Sequence, residues 1–284
     1  MKNTRRTRKL LIIILLAIIM GLVWLFWPRK GIAPTGTVDN KVPSSTASVT
    51  ETPVDFISLK WPENETIDVP ILMYHHVGPL PEDADDIRKG LTVSADDFES
   101  QMKFLKDGGY NIVTLEKMYE LVAVGKVPEK TTVLTFDDGY SDNFEAARSV
   151  MEEYGFKGTF FIISGKMGED EYMNEDQIKE LAAAGNEIGS HSAHHLSLDT
   201  LSGQRLIDEI ENPKIVLEKL TGEKVVSFCY PAGKFTPTTV EAVGGAGYKI
   251  AVTTQKYQPF STNKPFEIPR LRINPGTNLK SVLK

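Results

Sequence analysis

The sequence predicts an α/β domain: a parallel sheet of seven or eight strands, curled into a barrel and covered by helices. Three observations predict it. From Ile67 onward, short apolar, β-branched runs alternate with longer amphipathic stretches, the pattern of a parallel sheet with crossover helices. Several of the amphipathic stretches end in glycine, as helices stopped by a left-handed residue do. The chain's five histidines all sit directly after two of the expected strands, at the end where α/β barrels and open sheets gather their sites. One barrel suits this stretch better than two small domains, and a doubly wound open sheet is the alternative topology.

Taken in order, the expected strands are Val69–His75, Asn111–Leu115, Thr131–Phe136, Gly158–Ile163, Asn186–Ser190, Val225–Tyr230, Tyr248–Thr254 and Ile268–Ile273. Each is a short run rich in β-branched or aromatic residues and bounded by turn formers. Helical periodicity fills the gaps in "ADDFESQMKFLKDGG", "LEKMYELVAVG", "SDNFEAARSVMEEYG", "NEDQIKELAAAG", "DTLSGQRLIDEIENPKIVLEKLTG" and "TPTTVEAVGGAG",.

Ahead of this domain the texture differs. Residues 1–9 form a basic tail with no acid, and residues 10–27, "LLIIILLAIIMGLVWLFW", carry no charge. Eighteen apolar residues make a helix roughly 27 Å long, enough for a bilayer core. The basic head predicts a cytoplasmic N-terminus and an extracytoplasmic domain, and Trp24 and Trp27 would meet the far interface. No small-residue cleavage site follows Trp27, so an uncleaved signal-anchor is expected rather than a removed signal peptide. Residues 28–66 are rich in Pro, Ser, Thr and Val without a period and read as a flexible linker, leaving residues 67–284 as the folded domain,. Five of the 32 basic residues belong to the head, so 27 face 38 acidic residues outside, a net charge of −11. That surface does not suit a nucleic-acid binder. The single cysteine, Cys229, excludes an intrachain disulfide,.

Polar residues cluster at the strand ends: His75 and His76 after the first run, Asp137 and Asp138 after the third, "HSAHH" (191–195) after the fifth, and Pro231 with Gly233 after the sixth. Two histidines and a carboxylate with open positions are a familiar donor set for a catalytic divalent metal. His191 pairs with His194 or His195 in this reading, and a spacing of four on a helical turn would put two imidazoles on one face. Adjacent aspartates repel, and a dication offsets that repulsion while one carboxylate stays free to take a proton from water. Cys229, inside an apolar strand, is expected to be an unreactive core residue.

At "TFDDGY", "GNEIGSHSAHH" and "FCYPAG" the chain resembles the polysaccharide deacetylase superfamily, carbohydrate esterase family four, from about Val69 to Ile273. The resemblance implies a distorted (β/α) barrel and metal-dependent removal of N-acetyl groups from amino sugars. Carried over by motif, it makes Asp137 the general base and Asp138, His191 and His195 the metal ligands, with His194 a bystander. The third motif normally carries an arginine that orients the base and a turn whose N–H groups hold the oxyanion. Here Cys229 stands at the arginine position, while Tyr230 and Ala232 lie at the turn; Arg270 and Arg272 are candidate replacements for the arginine. No histidine follows His195, so the family's usual acid is missing. "YHH" resembles the opening of the poly-N-acetylglucosamine deacetylase subgroup, which implies His75 as the acid, with His76 as second choice. Zinc is the expected ion, with cobalt or nickel as alternatives. The expected substrate is an N-acetylglucosamine polymer of the cell surface. Peptidoglycan, an O-acetylated polysaccharide and a silent glycan-binding role are the rival readings.

Overall fold

The computed structural model describes residues 59–283. The expected anchor at residues 10–27 and most of the expected linker lie outside them. Among the described residues, no helix is long and apolar enough to cross a membrane.

All eight expected strands form: β1 (Ile71–Tyr74), β2 (Asn111–Val113), β3 (Thr131–Phe136), β4 (Thr159–Ile162), β5 (Glu187–Ser190), β6 (Ser227–Cys229), β7 (Ile250–Lys256) and β8 (Ile268–Arg272). Seven of them close a parallel barrel in the order β1-β8-β7-β6-β5-β4-β3, with β3 pairing back onto β1 from Ile71↔Val133 to Tyr74↔Phe136. The eighth, β2, flanks the N-terminal half of β3 through Asn111↔Thr131 and Val113↔Val133. The C-terminal half of the same β3 edge pairs with β4 at Thr135↔Thr159 and Phe136↔Phe160. The barrel is uneven. β5 and β6 share the single register pair Ser190↔Phe228, and the β7–β8 register shifts between Val252 and Lys256.

Side-chain alternation divides the strands into two faces. Ile71, Val133, Phe161, Cys229, Ile250, Val252 and Ile268 pack together with Leu115, Met118 and Val122. Leu72, Tyr74, Leu134, Phe136, Phe160 and Phe228 belong to the larger core beneath the helices. The helices are α1 (Asp86–Leu91), α2 (Ala95–Asp107), α3 (Leu115–Ala123), α4 (Arg148–Tyr154), α5 (Glu175–Ala183), α6 (Gly203–Thr221), α7 (Pro237–Gly245) and α8 (Leu279–Val282). Their starts follow from the sequence. Ser94 and Thr114 cap α2 and α3 by accepting from the N–H three residues on, and Asn174–Gln177 and Thr236–Thr239 are reciprocal capping boxes,.

One local expectation is refined and another corrected. The segment "SDNFEAARSVMEEYG" is helical as expected, but not α throughout: residues Asn143–Ala147 form a π turn leading into α4. Asn143 is drawn inward there, its Nδ2 donating to the His75 carbonyl at 2.7 Å. The domain also begins before Ile67. Trp61 stacks on Tyr119 and Phe260, with ring centroids 5.3 and 5.9 Å away, and donates from Nε1 to the Tyr119 carbonyl. Thr66–Ile67 pairs antiparallel with Phe260–Ser261. The proline and polar texture around these residues hides one aromatic anchor, and that anchor fastens residues 59–66 to the barrel.

Trp61→Ala should therefore lower the unfolding free energy by about 2–3 kcal/mol in urea titrations, since it strips a half-buried aromatic from two ring partners. A loss under about 0.5 kcal/mol would return residues 59–66 to the linker.

Candidate active site

The end of β3 fixes both aspartates. Strand alternation carries Val133, Thr135 and Asp137 on one face, and the Asp137 N–H still pairs with the Tyr74 carbonyl at 3.0 Å. The chain then turns through two left-handed residues, Asp138 at φ 72° and Gly139 at φ 78°. A side chain at position 139 would also lie 3.2 Å from Ile162 Cδ1, so glycine suits both the dihedral and the space. The turn sends the two carboxylates in different directions.

Asp137 meets Arg270, which reaches it from β8. Nη1 donates to Oδ1 and Nη2 to Oδ2, both at 2.7 Å, a bidentate fork,. Arg270 is 1% exposed and spends its other donors on the Thr253 carbonyl, Thr135 Oγ1 and Cys229 Sγ. Burial alone would raise the Asp137 carboxyl, but the charge and hydrogen bonds of Arg270 hold it well below the usual carboxylate range,. Of the two candidate arginines, Arg270 grips Asp137, and Arg272 is exposed and lines the cavity above it. Cys229, at the motif's arginine position, is buried as expected but is also a neighbour of this pair, its Sγ 3.6 Å from Asp137 Oδ2.

Asp138 meets two imidazoles. His191 Nε2 and His195 Nε2 each lie 3.3 Å from Asp138 Oδ1, and the three ligand atoms lie within 4.8 Å of one another. His191 Nδ1 donates to the Cys229 carbonyl at 2.8 Å. That bond fixes the tautomer that leaves the Nε2 lone pair facing Asp138. The helical-turn expectation for "HSAHH" is wrong. The segment is a loop in which Ser192 and His195 have φ of 61° and 57°, with the His195 N–H donating to Ser192 Oγ. Left-handed residues at both places, rather than helical stacking, bring residues 191 and 195 together. His194 points elsewhere, its Nδ1 2.6 Å from Glu209 Oε1.

Two imidazoles and a carboxylate with lone pairs on one point fit a divalent cation of zinc, cobalt or nickel type. Asp137, His191 and Cys229 also offer three donors within 4.8 Å. Arg270 already occupies both oxygens of Asp137, so a cation there would face a guanidinium.

Around this centre lies a cavity of about 400 Å³ whose walls include His75, Asp137, Asp138, Tyr230, Ala232 and Arg272. His75 Nε2 is 3.9 Å from Asp137 Oδ2. Burial pushes the His75 imidazole down to about 4, against the pull of Asp137 and Asp138. His76, the second choice for the acid, is placed elsewhere. It stacks on Tyr140 at 3.6 Å between centroids, and its Nδ1 lies 2.8 Å from Asp142 Oδ2. Ala232 adopts φ 51° in the turn after β6. Sequence reasoning missed Tyr140, Lys166 and Tyr172 on the same wall. Tyr140 follows the Asp-Asp-Gly turn directly and could have been found from it. Lys166 and Tyr172 sit in an aperiodic loop after β4 and carried no signal.

Comparison with known proteins identifies the family. The model of the family described as polysaccharide deacetylase matches residues 124–251. YxkH of Bacillus subtilis (strain 168), whose name places it among the polysaccharide deacetylases, is 30% identical over 244 residues, 86% of this chain and 85% of that one. The chain belongs to the polysaccharide deacetylase family. It is accordingly a hydrolase of carbon–nitrogen amide bonds. A poly-β-1,6-N-acetyl-D-glucosamine N-deacetylase of Staphylococcus aureus (strain MSSA476) is 27% identical over 200 residues, 66% of this chain and 69% of that one. Among solved structures, the Streptococcus pyogenes deacetylase PplD in complex with acetate matches with a TM-score of 0.71 at 27% identity, covering 77% of this chain and 98% of that one.

Removing one partner of a buried ion pair strands the other. Arg270→Met should cost about 3–5 kcal/mol in chemical denaturation, and Arg270→Met with Asp137→Asn should regain much of that loss. Losses that simply add, with coupling under about 0.5 kcal/mol, would show that the two side chains do not act as a unit.

Proposed function

We propose that this polysaccharide deacetylase is a divalent-metal N-deacetylase acting on a β-linked N-acetylglucosamine polymer. The observation that carries the reading is the convergence of Asp138, His191 and His195 beside a cavity that also presents Asp137 and His75. Asp138 Oδ1 and the two Nε2 atoms would hold the ion, with zinc the first choice. A bound divalent ion supplies acidity to water and positive charge to a developing oxyanion.

The chain's own residues do the rest. Asp137 takes the proton from the attacking water, and its fork to Arg270 keeps it ionised and fixed in orientation,. The amide nitrogen needs a proton before acetate and the free amine separate. His75 delivers it from 3.9 Å away, close enough for the proton given to nitrogen to be the one Asp137 has taken. Ala232, a cavity-lining residue with left-handed backbone, is the donor assigned to the oxyanion through its N–H,. A silent glycan-binding domain would need none of this pairing of base, acid and ligand set. The polymer assignment is supported by the named activity of the Staphylococcus aureus relative. Anchoring at residues 10–27 with the domain outside the cell belongs to the same proposal and is supported by the uncharged run and its basic head,.

The test is acetate release by the purified full-length protein from poly-N-acetylglucosamine and from peptidoglycan, with and without a chelator. Release from the first polymer, lost on chelation and restored by zinc, is expected; chelator-resistant turnover would remove the metal from the reaction. Asp137→Asn should retain metal and lose about 100-fold or more in rate. His75→Ala should lower the rate while metal content stays at the parent level. Full activity of the His75 variant would leave the amine's proton to another donor.

A further inference from the structure

Helix α6 carries Pro213 in its interior. Proline has no N–H, so the carbonyl four residues earlier loses its helical partner and is pushed off the helix axis by the ring. That carbonyl belongs to Glu209, and it accepts instead from the Ala193 N–H at 3.1 Å. Ala193 lies between the two imidazoles of the site. The Glu209 side chain makes the next two bonds along the same loop: Oε2 accepts from the His194 N–H at 2.9 Å, and Oε1 lies 2.6 Å from His194 Nδ1. Glu209 is 4% exposed, so these bonds compensate a carboxylate that water does not reach,.

The gripped pair, Ala193 and His194, is bracketed by Ser192 and His195, the two residues of this loop held at left-handed φ. Non-glycine residues persist in that region only where their surroundings over-determine the backbone. From the opposite side, the Gly165 N–H donates to the Ala193 carbonyl at 2.8 Å, and a Cβ at position 165 would stand 2.6 Å from that oxygen. The loop is thus held between the β4 turn and one residue of α6.

We propose that Glu209, with its carbonyl released by Pro213, is a positioning residue for the metal centre. It works through the backbone of residues 193 and 194, fixing the loop shape that brings both Nε2 atoms to 3.3 Å from Asp138 Oδ1. His194 is then a strap that ties the loop to α6. The inference rests on the metal reading of Asp138, His191 and His195, and goes beyond it by naming what holds that geometry.

The experiment titrates metal-stripped full-length protein with Co²⁺ against a competing chelator, reading affinity and the visible absorption of the bound ion. Melting temperatures of the metal-free forms are recorded beside it. Glu209→Ala, which removes both acceptors of the carboxylate, and His194→Ala, on an exposed ring that the fold does not need, should each weaken Co²⁺ binding on the order of tenfold and alter its spectrum. Pro213→Ala should weaken it in the same direction while melting at or above the parent temperature, because it removes a helix-interior proline and restores the helical N–H that draws the Glu209 carbonyl back. Parent-like affinity and spectrum in these variants would overturn the positioning role and leave the metal reading intact. Weakening that appears only where the melting temperature also falls would overturn it too. A parent protein that binds no Co²⁺ would bring down both.

Discussion

The buried fork between Arg270 and Asp137 is the interaction on which the site depends. Two charges inside a barrel are costly unless every donor and acceptor is matched. Here the guanidinium satisfies both oxygens of the carboxylate and also reaches Thr135, Thr253 and Cys229. Because Arg270 arrives from β8 and Asp137 ends β3, with β1 between them in the sheet, the pair also joins strands that share no ladder. The charge that holds Asp137 as an anion therefore contributes to the barrel's closure as well. Engaging both oxygens of Asp137 in this way sets it apart from Asp138, whose Oδ1 faces the Nε2 atoms of His191 and His195.

The resemblance implies an arginine beside Asp137 at the position of Cys229, and the structure has one there from a different strand, Arg270. At the motif position stands Cys229, small enough to let a side chain from another strand enter the same space. Its carbonyl orients His191, a task that any residue could perform, while its thiol fills the gap beside the fork. Arg270 enters from β8, with β7 between it and the strand of Cys229, and reaches the same space because both side chains point inward.

Much of the fold was legible because hydrophobic period and turn chemistry are local. All eight strand runs appear within two residues of their expected ends, and several helices stop at or beside the expected glycines,. The site was legible as a set of strand ends, since parallel barrels bring those ends together whatever the loops do. What escaped was whatever depends on distant partners. The "HSAHH" segment looks helical by spacing, but its shape is imposed by contacts from α6 and from the β4 turn. Trp61 sits in a stretch whose composition resembles a linker, and nothing local shows that Tyr119 and Phe260 wait for it. His75 and His76 part by strand alternation, as an extended chain predicts, but the partners that hold His76, Asp142 and Tyr140, come from the distant turn after β3 and carried no local signal,.

The isolation of Cys229 has a practical side. It is the chain's sole thiol, and it lies wholly inside the barrel beneath the reacting groups. Maleimide dyes or spin labels offered to the folded molecule should find no native sulfur to attack. Cysteines introduced one at a time on the rim could then carry probes for distance measurements without first replacing a residue whose sulfur touches the buried arginine.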